Sequence, residues 1–215
     1  MQPKTFLVLG ATGGIGKRFV SQVLNDGHRV RALVRSPQKL PARTDDLEIR
    51  HGSITDPLDT DELVDGVDAV IAMLGDTKLQ AHAKINVAFV RKLVRSMRKA
   101  GVKRFLYQAG GLSRPYGGHL TPLLWTIRQM LPRGYQGQHE DNEAVMAYLA
   151  TEARDLEWIV HRAGIGSDGA SKGTLHRSCT KFSIGTHIDC ADYNYRTILD
   201  NAAVHTFDLS HYVKT

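Results

Sequence analysis

Residues Lys4 to Gly16 read KTFLVLGATGGIG: an apolar run meets four glycines and then a mixed apolar and charged stretch. Gly10, Gly13 and Gly16 have GxxGxxG spacing between a predicted strand and a predicted helix. Each has a physical task. Gly10 permits a tight turn, Gly13 lets the backbone approach a pyrophosphate, and Gly16 lets the helix pack close on the strand. Phosphates would then face the free N–H groups at the positive end of the helix. Roughly twenty residues on, an acid would hold a ribose 2′-hydroxyl. This chain has Arg35 in VRALVRSPQK, followed by Ser36 and Lys39. A guanidinium grips phosphate with two hydrogen bonds and a lysine adds a point charge. The expected cofactor is therefore NADP(H), with Arg31 as a weaker third contact.

Outward from the loop, strand and helix signals alternate. Thr5–Leu9 reads as a strand and Ile15–Leu24 as a helix with Ile15, Phe19 and Val23 on one stripe. His28–Arg35 and Leu47–His51 read as strands, Asp59–Val64 as a helical turn and Val67–Leu74 as a buried strand. His82–Ala100 is a predicted helix stopped by Gly101. Lys103–Tyr107 is a strand, Glu140–Ala153 a helix and Leu156–Arg162 a strand. Such alternation means a parallel sheet covered on both faces. Residues 111–137 break the rhythm. There Leu123, Leu124, Ile127, Met130 and Leu131 suit a short amphipathic helix, expected to wall a ligand site at a strand's C-terminal end.

The 215 residues suffice for one domain with a full core. The net charge of +6 favours an anionic partner, such as a phosphorylated cofactor. Its basic residues are densest from Lys84 to Arg104, around a predicted helix, and read as a solvated face. No nucleic-acid motif or interleaved aromatics accompany them, so no nucleic-acid partner is expected. No run of eighteen apolar residues occurs, and no membrane span is expected. The predicted strand begins within four residues of the start, so no signal peptide is expected. With only Cys179 and Cys190, neither a disulfide framework nor a metal site is expected. The expected location is cytoplasmic.

The chain as a whole resembles the atypical short-chain dehydrogenase/reductases. Within them it is most similar to the small branch of NmrA-like proteins and biliverdin-IXβ/flavin reductases. The matching stretches are GATGGIG at 10–16, VRALVRSPQKL at 30–40, HGSITDPLDTDELVDGVDAVIAMLG at 51–75, NVAFVRKLVRSMRKAGVKRFLY at 86–107 and LEWIVHRAGIG at 156–166. The resemblance runs essentially full length, to a short strand near Ala203–Leu209. It implies a single α/β domain over 1–215, a Rossmann-type doubly wound parallel sheet, with 111–137 as a substrate-side insertion. It also implies cofactor contacts. Thr12, Gly13 and Ile15 would line the pyrophosphate, and Arg35 and Lys39 would clamp the 2′-phosphate. Ser53 and Ile54 would flank the adenine, and Leu74 and Gly75 would meet the cofactor's middle. Ala163, Gly164 and Ile165 would approach the nicotinamide. Arg162-Ala163 stands where the family often has Arg-Pro.

The catalytic positions depart from the family. Tyr-x-x-x-Lys, in which the lysine lowers the pKa of a proton-transferring tyrosine, is absent; its places fall near Gln138 and Asn142. The serine of related small reductases is replaced at Ala109 and Gly110. The remaining candidates are Ser113, Tyr135 and His139, the last as a proton donor near pH 6–7. Trp125 and Tyr116 are expected to stack on a substrate under the 111–137 segment. The first functional reading is an NADPH-dependent oxidoreductase acting on a small planar or carbonyl-containing molecule, such as a flavin or quinone. The second is a non-enzymatic NADP(H) sensor that binds a protein partner, with 84–104 as its docking surface. The third is a redox-neutral isomerase, epimerase or dehydratase.

Overall fold

The computed structural model describes residues 2–40 and 44–213. The strands are β1 (Thr5–Leu9), β2 (Arg29–Val34), β3 (Leu47–His51), β4 (Ala69–Ala72), β5 (Arg104–Gly110), β6 (Glu157–Ile165), β7 (Leu175–Ser178), β8 (Ile184–Gly185) and β9 (Phe207–Tyr212). The α-helices are α1 (Gly14–Asn25), α2 (Thr60–Val64), α3 (Thr77–Gln80), α4 (Ile85–Ala100), α5 (Pro122–Met130), α6 (Gln136–Glu152) and α7 (His187–Ile198). The strands form one sheet in the order β3-β2-β1-β4-β5-β6-β9-β7, with β8 on β6. All the pairings are parallel except β7 with β9. The order reverses beside β1, between β1 and β4. In such sheets ligands bind outside the carboxyl ends of the strands at this switch point.

Side chains alternate across the sheet as the period of two requires. Phe6 and Val8 of β1 enter one core with Phe19 and Val23 of α1 and Tyr193 of α7. Leu7 and Leu9 enter the other with Leu93 of α4 and Val145 of α6. Both faces are therefore buried, as a doubly wound parallel sheet demands. Gly10 ends β1 with φ +85, and a Cβ there would lie 2.2 Å from the Met73 carbonyl oxygen. Only glycine fits. No helix among the described residues is long and apolar enough to cross a membrane.

Several element bounds differ from the sequence reading. The helix expected over His82–Ala100 begins at Ile85, after a separate short α3. The reason lies in α6: the buried Asp141 carboxylate accepts the N–H groups of Asn86 (2.9 Å) and Val87 (3.0 Å) and an amide N–H of Gln80 (2.9 Å). It caps α4 from outside the helix's own sequence, where no reading of α4 alone would find it. β5 and β6 run longer than expected and α6 begins four residues earlier. The C-terminal strand lies at Phe207–Tyr212, after a 3₁₀ turn at Asn201–Ala203. α7 was not foreseen. Its start was legible, because Thr186 caps the Asp189 N–H and stands three residues before that acid.

Candidate active site

Two cavities open side by side at the C-terminal ends of the strands and share Gly10, Gly13, Met73, Leu74 and Gly75. The smaller, about 300 Å³, brings together Thr12, Arg35, Lys39, Ser53 and Ile54 with the shared glycines. The larger, about 570 Å³, brings Ile15, Gly16, Ala163, Gly164 and Ile165 to the same glycine loop. All the residues expected to hold a dinucleotide except Arg31 thus line one continuous groove; Arg31 lines neither cavity, because its guanidinium is bound to Glu48 at 2.6 Å and to the carbonyls of Leu63 and Asp65.

The groove has the features such a ligand needs. α1 carries no side-chain cap at Gly13, so its first N–H groups face the groove without a side-chain acceptor. A Cβ at Gly16 would lie 2.1 Å from the Gly10 carbonyl oxygen, which fixes the close approach of α1 to the loop. The buried Asn86 Oδ1 lines the smaller cavity without a hydrogen-bond partner. The residues fit a nicotinamide dinucleotide. Arg35 is not idle meanwhile: its guanidinium lies 3.3 Å from Asp76, a groove residue that also caps α3.

The larger cavity is walled by one face of the α6 start, where Tyr135, Gln138, His139 and Asn142 recur at i, i+3, i+4 and i+7. Ile127 of α5, Leu131, Phe182, Ile184 and His187 complete the wall. The last three come from a C-terminal segment that sequence reasoning missed. His187 is pressed on the glycine loop, since a Cβ at Gly14 would meet its Nδ1 at 2.2 Å. Tyr116 and Trp125 do not line the cavity. They are 51% and 57% exposed, and the apolar face that α5 turns inward carries Leu124 and Ile127 instead. The expected stacking role is therefore corrected.

The three catalytic candidates separate. Ser113 is fully buried, outside the cavity lining, and receives a hydrogen bond from Asn142 Nδ2 at 3.3 Å. It is a structural residue of the turn after β5, where Arg162 donates to the Ser113 carbonyl at 2.9 Å. Burial lowers Arg162 to about 10, against the opposing pull of Glu143 and Asp208, so the guanidinium stays charged at neutral pH. Asn142 also accepts from the Tyr107 hydroxyl at 2.6 Å. Burial pushes Tyr107 far up, which keeps it protonated. Tyr135 and His139 do face the cavity. Neither ring nitrogen of His139 has a partner. Burial first, then Arg128, pushes its pKa below the ordinary value, with Glu143 opposing. A proton donor at pH 6–7 was expected; burial and Arg128 move the imidazole away from the protonated form that role needs.

Four of the eight basic residues of the stretch 84–104 are engaged with the protein's own carboxylates. Arg91 pairs with Glu152 (2.9 Å), Arg98 with Asp155 (2.6 Å), Lys99 with Asp61 (2.8 Å) and Arg104 with Glu157 (3.0 Å). Much of the charge that made it attractive as a docking surface is locally balanced.

The family model described as NAD(P)H-binding matches residues 10–192. Over 112 residues the chain is 36% identical to a 3β-hydroxysteroid dehydrogenase/Δ5→4-isomerase of Mycobacterium tuberculosis, a match covering 47% of this chain and 30% of that protein. Over 131 residues it is 35% identical to pinoresinol reductase 1 of Arabidopsis thaliana, covering 54% and 39%. The match thus spans well under half the length of these curated relatives. An anaerobillin reductase from Escherichia coli O157:H7 shares the fold, with a TM-score of 0.72, 16% identity and 96% of each chain covered. With its sheet order, glycine loop and contiguous groove, the chain belongs to the NAD(P)H-binding family, and the atypical short-chain dehydrogenase/reductase branch that its sequence resembles fits that membership.

Proposed function

We propose that the protein is an NADPH-dependent reductase of a planar, largely apolar, carbonyl-containing or conjugated molecule. The observation that carries this reading is the cavity of about 570 Å³ that opens directly onto the glycine-loop groove. Ligand sites of this size with apolar walls and a few polar groups are usual for small-molecule chemistry. Arg35 and Lys39 favour the 2′-phosphorylated cofactor. When bound, that cofactor supplies a hydride. The protein's residues bind and orient. The glycine loop and the α1 N-terminus hold phosphates, Leu74 and Gly75 border the middle of the groove, and Ile127, Leu131 and Phe182 exclude water from the acceptor. Without a tyrosine–lysine pair or a serine at Gly110, orientation and a dry chamber contribute most of the rate. The names of the relatives, reductases and a dehydrogenase/isomerase, agree with this class.

A second reading is an NADP(H)-binding regulator with a protein partner, favoured by the absence of any side chain at Gly110. One experiment separates the two. NADPH oxidation is followed at the nicotinamide absorbance against flavins, quinones, a linear tetrapyrrole and simple carbonyls, with an NADH arm and Arg35→Ala. Turnover with NADPH that is lost or shifts to NADH in the variant supports the reductase and the phosphate clamp. Tight NADPH binding without turnover on any acceptor overturns the reductase.

A further inference from the structure

The wall of the larger cavity, among the described residues, carries no lysine, arginine, aspartate or glutamate. Its polar groups are amides, a phenol and two imidazoles. One of them, His139, stands apart. It is only 7% exposed, sits on the cavity face of α6, and has no hydrogen-bond partner for either ring nitrogen. Buried polar groups are nearly always paired, so an orphan that faces a cavity calls for a ligand atom. Gln138, one residue before it, is turned toward Gly75, where a Cβ would lie 3.1 Å from Nε2. His139 is thus the buried polar group of α6 left unpaired at the cavity, because Asn142 is engaged by Tyr107 and Ser113.

We propose that His139 determines substrate specificity, its neutral imidazole hydrogen-bonding a carbonyl oxygen of an uncharged, largely apolar substrate and the cavity rejecting analogues that carry a carboxylate into it. This rests on the reading of the cavity as the substrate chamber. The charged groups around His139 are Arg128 of α5 and Glu143 of α6, paired with each other. Burial and Arg128 disfavour a second proton on the ring. The neutral ring keeps one N–H, which donates to a carbonyl oxygen. A carboxylate pushed into this chamber would lose its water and meet no cation on the wall. The positive net charge of the whole chain therefore does not make an anionic substrate.

The test uses a neutral naphthoquinone and a carboxylated analogue of the same ring. Equilibrium binding is measured by ligand-observed NMR with the cofactor-loaded protein, and NADPH oxidation in parallel. His139→Leu is expected to weaken binding of the neutral quinone about tenfold and raise its KM similarly, with kcat changed less than about threefold. His139→Gln, which keeps a donor, restores most of the binding. Unchanged affinity in His139→Leu, equal binding of the carboxylated ring, or no binding of the neutral quinone to the wild type would each overturn the proposal. Binding that depends on His139 without any turnover sinks the reductase and spares this inference. Turnover indifferent to His139 does the reverse.

Discussion

The guanidinium of Arg35 lies 3.3 Å from the carboxylate of Asp76, across the groove that a cofactor's 2′-phosphate would enter. Arg35 is 65% exposed at its side chain, so the pair is solvated and weak. Asp76 and an incoming phosphate compete for one cationic fork and repel each other. Asp76→Asn keeps an oxygen to cap α3 and removes the charge. NADPH affinity should rise about fivefold, the equivalent of about 1 kcal/mol, while NADH affinity stays put. Fluorescence titration of both nucleotides checks this; equal gains for both would show that Arg35 does not meet a 2′-phosphate.

The glycines of the loop should separate by their backbone. Gly10→Ala places a Cβ 2.2 Å from the Met73 carbonyl at a positive φ. It should cost about 2 kcal/mol or more and lower Tm by about 5 °C or more. Gly13 has φ −72, and its Cβ would lie 3.3 Å from the Gly10 carbonyl oxygen. Gly13→Ala should leave stability within about 1 kcal/mol and weaken NADPH binding tenfold or more. Melting curves with and without nucleotide distinguish the two.

His161 ties stability to pH. It is buried between Asn194 (2.7 Å) and Ser210 (2.9 Å), and burial lowers it from 6.5 to about 4. The unfolded chain therefore binds this proton more readily than the folded one. The contribution is full above pH 6.5 and is lost as the pH falls through 6.5 toward 4, about 3 kcal/mol in all. His139 shifts in the same direction. Denaturant midpoints measured from pH 7.5 to 4 should fall, and His161→Gln should flatten the slope. A parallel slope in the variant would place the pH dependence elsewhere.

At Gly110 a side chain is absent but not excluded. A Cβ there would lie 3.9 Å from Asn142 Nδ2 and 4.0 Å from Ser113 Oγ, which is ordinary contact. Gly110→Ser should leave Tm within about 2 °C. The new hydroxyl borders the larger cavity, and turnover of carbonyl acceptors should rise about tenfold or more. A stable variant with unchanged rates would show that proton supply does not limit this protein.

The cofactor side was legible because it is local. Gly10, Gly13, Gly16 and Arg35 lie within one strand–helix–strand unit, and backbone geometry dictates their types. The alternation of strand and helix signals likewise announced a sheet covered on both faces. The substrate side was less so. Tyr135 and His139 showed as a spacing, yet Phe182, Ile184 and His187 reach the cavity only because β8 pairs with β6 and α7 starts beside the loop. The 111–137 segment misled because its apolar residues do not share one buried side: Leu124 is buried while Leu123, Trp125 and Met130 are exposed. The start of α4 was hidden for a related reason, since its cap, Asp141, lies 55 residues further along the chain from Asn86.

Glu143 accepts hydrogen bonds from Arg128 and from the Arg114 backbone and guanidinium, while Arg128 also donates to the Leu112 carbonyl at 3.1 Å. Burial opposes the charge on Glu143, and those donors overcome it and hold its pKa below the ordinary range. Leu124 is the one fully buried residue of α5, whose Leu123, Trp125 and Met130 face outward. The roof of the larger cavity is thus latched by charge where the rest of the molecule is glued by oil. A pair so little exposed is screened little by salt, and it holds until acid reaches the lowered pKa of Glu143. Were the charge on Glu143 lost, α5 would keep Leu124 as its one fully buried anchor while both cores kept theirs.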